Sequence, residues 1–189
     1  MPHQASNPTP PSLQGEEEAV NYAAQSSVTT HPDKMCIEAC QVYTRLVTRI
    51  LHKGAAPSGE VYTKLDALKA LSSAEFTAEE AYISQHPLFR NIALIAHTSN
   101  NSHAALNVLP TSSSLSSSGY VLHTLVAALY AFFATSTFED GAVLVANMGD
   151  DADTVGAVYG GLAGAWYGTT IAEEEEEGWK LFWSPRVRE

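Results

Sequence analysis

At 189 residues the chain has the length of one domain, and with 45% apolar and 16% charged residues it can bury a core, which excludes wholesale disorder. Ten basic residues against 21 acidic ones leave a net charge of −11. That excludes a diffuse attraction to nucleic acid or anionic lipid, and a nucleic-acid protein would need a basic face.

Met1 to Gly15 holds four prolines, with neither a basic cluster nor an apolar run. It is no secretory signal and reads as a disordered lead-in, which sets an expectation of a cytoplasmic protein. A helical domain is expected over 16–172, followed by an acidic and aromatic tail over 173–189. The two cysteines, Cys36 and Cys40, cannot form a disulfide framework; they are either small core residues or a two-thiol metal clip short of ligands.

After Thr30-His31-Pro32-Asp33, apolar residues at Cys36, Ala39, Cys40, Tyr43, Leu46, Val47 and Ile50 make a helical stripe. Asp33 or Thr30 can cap its start, and His52 and Lys53 suit its negative end before Gly54. A second stripe, Val61, Leu65, Leu68 and Leu71, follows a possible cap at Ser58. Thr77 and Glu80 have capping-box spacing before a short helix ending near His86-Pro87. Residues 98–118 have the Asn and Ser content of a loop. Segment 119–135 is apolar nearly all round and predicts a central, buried helix. Phe138 to Met148 predicts another, with Thr137 as cap and Gly149 as terminator. Asp153 and Thr154 open the last, which is expected to run to about Gly168. No segment sustains a period of two, so the fold class is all-α.

Residues 119–138 and 154–172 carry no formal charge and reach the roughly 20 residues that a bilayer requires. His123 and many Thr, Ser and Ala dilute the first, and four aspartates lie between the two. A buried pair of soluble helices is therefore expected rather than a membrane hairpin. Gly156, Gly160, Gly164 and Gly168 are spaced four apart, each costing about 1 kcal/mol against Ala in a helix. The spacing predicts a face on which a neighbouring backbone comes close.

The segment Gly149-Asp150-Asp151-Ala152-Asp153-Thr154 gathers three carboxylates in four positions. Two explanations stay open. The free N–H groups of the following helix favour anions. Alternatively, a hard divalent cation takes oxygens from Asp151 and Asp153, two apart in a turn, and from the Thr154 hydroxyl.

The string from Gly149-Asp150-Asp151-Ala152-Asp153-Thr154-Val155-Gly156 to Gly164-Ala165-Trp166-Tyr167-Gly168 resembles the C-terminal signature of the ADP-ribosylglycohydrolase family. Gly119-Tyr120-Val121-Leu122-His123-Thr124-Leu125 and Thr30-His31-Pro32-Asp33 agree with it in order. The resemblance implies an all-α, multi-helix orthogonal bundle with a dinuclear Mg²⁺ or Mn²⁺ centre. It implies hydrolysis of the glycosidic bond that joins ADP-ribose to a side chain or to another ADP-ribose. By position, Asp151, Asp153 and Thr154 are similar to the family's C-terminal metal ligands. His31, Tyr120 and Val121 are similar to residues that contact ADP-ribose, and Asp150 stands where the family has glycine.

The family's Thr-Asp-Asp motif and Gly-rich phosphate loop do not occur here. The chain is thus expected to be an N-terminally truncated back half, with the general base in the missing part. The expected partner is ADP-ribose or an ADP-ribosylated protein. The alternative to an enzyme is a non-catalytic ADP-ribose-binding or assembly module. A half domain would also expose an apolar face and self-associate. His86, His97 and His103 have no ligand spacing, and His123 reads as a satisfied core histidine. Glu173 to Glu177 reads as a solvated tail, with Trp179, Phe182 and Trp183 docking behind it.

Overall fold

The computed structural model describes residues 11–52, 62–70 and 115–174. Six helices run through them in order: α1 (Pro11–Thr30), α2 (Lys34–Leu51), α3 (Lys64–Ala70), α4 (Val121–Ala134), α5 (Phe138–Ala146) and α6 (Ala152–Glu174). Among the described residues there is no strand, as an all-α chain requires. Ser58, Val61, Leu71, the Thr77–Glu80 capping box, His86, His97, His103 and the loop up to residue 114 lie outside them. So do Trp179, Phe182 and Trp183.

Helix α1 begins inside the stretch expected to be a disordered lead-in, with Pro11 at its first position, where a missing N–H costs nothing. Its anchor is Glu16, buried at 4% exposure. Arg49 donates to the Glu16 carboxylate through Nε (3.0 and 3.1 Å) and Nη2 (2.9 Å), and Arg45 through Nη1 at 3.2 Å. Arg45 also reaches the exposed Glu17 at 2.7 Å. Pro32 cannot continue the helix, and the chain restarts at Asp33, whose carboxylate accepts the Met35 N–H at 2.8 Å.

The buried seam of α2 is Met35, Ala39, Val42, Leu46 and Ile50. Cys36, Cys40, Tyr43 and Val47, expected at the centre of the stripe, lie half-buried on its flank. The helix is sandwiched between α1 on one side and α4 and α6 on the other, so more than one face is covered. Both cysteines are free thiols. Burial, and then the Asp33 charge, pushes the Cys36 thiol up, away from reactive thiolate.

Helix α3 starts on a capping box made by Thr63. Its N–H and hydroxyl donate to Asp66 Oδ2 at 2.8 and 2.6 Å, and Thr63 Oγ1 accepts the Asp66 N–H at 3.3 Å. The first residue, Lys64, then reaches the far end of α4. Its Nζ donates to the carbonyls of Phe132 (2.6 Å) and Thr135 (2.8 Å) and to the Tyr167 hydroxyl (2.7 Å). Carbonyls at a helix end lack intrahelical partners, and an ammonium suits the negative end of the dipole.

The expectation for 119–135 holds: α4 is the central helix, with Leu122, Thr124 to Leu129 and Ala131 to Phe133 buried. It packs on α2, α5 and α6. Thr137 caps α5, accepting the Asp140 N–H at 3.1 Å. Helix α6 opens at Ala152 and passes the expected end at Gly168 to reach Glu174, inside the acidic run. Among the described residues no helix is long and apolar enough to cross a membrane.

The glycine expectation needs correction. A Cβ at Gly160, Gly164 or Gly168 would meet nothing within 4 Å, and at Gly156 only Val145 at an ordinary 3.8 Å. Among the described residues, the four-residue stripe receives no neighbouring backbone. Close approach occurs off the stripe instead. The Tyr43 hydroxyl sits where a Cβ of Gly161 would be, donating to Val158 O at 3.0 Å. The Tyr159 side chain likewise fills the place of a Gly141 Cβ, and its hydroxyl donates to Phe138 O at 2.8 Å. Burial pushes the Tyr159 hydroxyl far above its ordinary range, so it stays a donor.

Gly161→Ala should therefore destabilise by about 1–3 kcal/mol through overpacking, while Gly164→Ala should stabilise by about 0.5–1 kcal/mol. Urea unfolding of both variants checks the pair, and equal effects would contradict the geometry. In the same assay Glu16→Ala should cost about 3 kcal/mol, because two arginines lose a buried carboxylate. Glu17→Ala, an exposed pair, should cost under about 1 kcal/mol.

Candidate functional site

Two segments meet at one corner of the bundle: residues 115–120 ahead of α4, and the turn between α5 and α6. The turn is made by Gly149 and Asp150, both left-handed at φ +73° and +52°. Glycine enters that region freely, and Asp is among the few other residues that tolerate it. The turn is clamped by Ser117, a buried residue whose hydroxyl donates to Gly149 O at 3.1 Å and Met148 O at 3.4 Å. In return the Asp151 N–H donates to Ser117 O at 3.2 Å.

Asp151 occupies the residue before α6, and its carbonyl accepts the Val155 N–H at 3.1 Å. Its carboxylate does something other than cap backbone amides. Oδ1 accepts the Thr154 hydroxyl at 2.9 Å, and Oδ2 lies against Gly119, where a Cβ would come within 2.8 Å. Asp153 Oδ1 accepts the Thr154 N–H at 3.0 Å. Asp151 is half-buried, while Asp153 and Thr154 are exposed. The structure thus links the three sequence-predicted oxygen donors through Thr154, with Asp151 held and the other two open to solvent.

The donors are all hard oxygens, the chemistry that Mg²⁺ takes. Neighbouring ligands of an octahedral Mg²⁺ at 2.0–2.1 Å stand about 2.9 Å apart. Asp151 Oδ1 and Thr154 Oγ1 have that separation. Among the described residues, however, no three His, Cys, Asp or Glu side chains converge as an ion's own cage. The Asp151–Thr154 pair has the spacing of two neighbouring ligands, and the three residues fall short of two ions with about six ligands each.

Tyr120 and Val121 fall at the same corner, joined to Asp151 through Gly119. Tyr120 is exposed at 46%, and its ring stands edge-on to His123 at 5.1 Å. His31 lies in the α1–α2 connection, exposed, with Nδ1 3.0 Å from its neighbour Thr30 Oγ1. Among the described residues it makes no hydrogen bond to the aspartates. Sequence reasoning missed Ser117 and Ser118, which pass for loop composition. The available signal was their place directly before an apolar helix whose first turn has no capping side chain. Gly119→Ala would force Asp151 Oδ2 aside, and we expect at least a tenfold loss of whatever ligand affinity the corner has, read by calorimetry against a global stability change under about 1 kcal/mol.

The ADP-ribosylglycohydrolase family model matches residues 6–175. The chain is 56% identical over 52 residues to an ADP-ribosylarginine hydrolase of Serratia proteamaculans, which is 28% of this chain and 14% of that protein. It is 46% identical over 74 residues to an ADP-ribosylarginine hydrolase of Pseudomonas putida, 38% of this chain and 19% of the relative. Against an ADP-ribosyl-dinitrogen reductase glycohydrolase of Rhodospirillum rubrum it is 41% identical over 63 residues, 33% of this chain and 20% of that protein. The matched stretches thus span a fifth or less of each relative's length. The family match itself runs from before α1 to the end of α6, through both segments of the corner and every helix between, and on that ground the chain belongs to the ADP-ribosylglycohydrolase family.

Proposed function

We propose that this chain serves the hydrolysis of an ADP-ribosyl glycosidic bond on modified proteins, with the arginine linkage as the first substrate to try, and that Asp151, Asp153 and Thr154 hold a divalent cation, Mg²⁺ or Mn²⁺, at the head of α6. The observation that carries the reading is the Asp151–Thr154 oxygen pair at 2.9 Å, backed by Gly119 and not spent on helix amides. The names of the relatives support the substrate class.

When bound, the cation would supply positive charge to orient ribose hydroxyls and a water. The chain's own residues do the holding. Ser117 fixes the Asp151 backbone, and Thr154 orients the carboxylate and must turn its proton away to offer a lone pair. Asp153, at the exposed first turn, adds a second negative charge. Tyr120 and Val121 supply an apolar wall for a nucleotide-sugar, and His31 is assigned a substrate contact from the α1–α2 connection. The general base and the ligands of a second ion would come from residues beyond those described.

A second reading, a binding module without turnover, is favoured by the incomplete cage among the described residues. Asp151→Ala should abolish Mg²⁺ binding in calorimetry; equal affinity in wild type and variant would overturn the ligand assignment. Incubating the chain with an ADP-ribosylarginine protein separates the two readings. Released ADP-ribose removes the binding module, and binding without release removes the hydrolase.

A further inference from the structure

His123 has no part in the reading above and lies on a helix that is otherwise core. Its ring is half-buried, one turn into α4, and Nδ1 stands 2.7 Å from Ser118 Oγ. Ser118 Oγ also accepts the Tyr120 N–H at 3.4 Å, which leaves the hydroxyl its proton and a second lone pair for the imidazole. The next residue of the helix, Thr124, donates from Oγ1 to Ser118 O at 3.2 Å. Two successive side chains of α4 therefore grip one serine. Its neighbour Ser117 grips the Gly149–Asp151 turn, and its other neighbour, Gly119, backs the Asp151 carboxylate. The ring of Tyr120 rests edge-on against the same imidazole.

We propose that His123 is a positioning residue: through Ser118 it fixes the 117–120 segment, and through that segment it sets where the Asp151 carboxylate stands. The cation reading of Asp151 underlies the use of this device, but the device itself is a mechanical link between α4 and the head of α6.

The test compares the full chain with His123→Ala, His123→Asn, His123→Gln and Ser118→Ala by amide hydrogen exchange and by Mg²⁺ calorimetry. Asparagine places a hydrogen-bonding amide group where Nδ1 stands, and glutamine places one near Nε2. The Asp151 amide should exchange about tenfold faster in His123→Ala, His123→Gln and Ser118→Ala, the effect of losing about one net hydrogen bond. It should keep wild-type protection in His123→Asn, and the Leu46 amide of α2 should be unchanged throughout. Mg²⁺ affinity should fall about tenfold in the same three variants. Unchanged Asp151 exchange in Ser118→Ala, or equal loss in His123→Asn and His123→Ala, overturns the positioning role. Should His123→Ala lose the fold, Ser118→Ala, which removes only a hydroxyl, decides. If wild type binds no Mg²⁺, the cation reading fails while the exchange comparison still decides the link.

Discussion

A helix with no polar face can be stable in water only if other elements wrap it, and α4 imposes that condition on this chain. Its side chains from Leu122 to Phe133 are almost all buried, so α2, α5 and α6 must close around it. The unpaired backbone groups at both ends of such a helix need partners as well. At the C-terminal end Lys64 supplies them from α3. At the N-terminal end there is no capping side chain at Tyr120, and the serine segment folds over the first turn instead.

That second solution is what creates the corner proposed as the site. The same six residues that finish α4 also carry Ser117, which binds the α5–α6 turn, and Gly119, which touches Asp151. Asp151 is therefore held by the core rather than by a loose loop. A carboxylate fixed from behind by backbone, with its other oxygen on a hydroxyl, is preorganised for a ligand in a way that a solvent-exposed acidic cluster is not.

Much of the architecture was legible because it rests on burial and local hydrogen bonding. The uninterrupted apolar run of α4 and the Asp33 and Thr137 caps each have one physical outcome. Helix α1 was not legible, since its stability comes from one buried Glu16 meeting Arg45 and Arg49 some thirty residues away, and no periodicity records that. The glycines misled for a similar reason. Spacing shows which residues share a face, but not whether anything occupies the space opposite. At the site, Asp151, Asp153 and Thr154 stand out by charge and motif, whereas Ser117 and Ser118 act through positions that only the folded chain defines. His31 is exposed, its ring beside Thr30 and its backbone bonded to Ser27, so a substrate contact for it rests on resemblance alone.

The left-handed pair at Gly149 and Asp150 limits how this sequence can drift. A side chain branched at Cβ would collide with its own backbone at φ +52°, so position 150 admits Gly, Asn or Asp and little else. Of these three only Asp adds a charge next to Asp151. Evolution at this residue is thereby reduced to an electrostatic choice, negative or neutral, made on a backbone whose path is already decided.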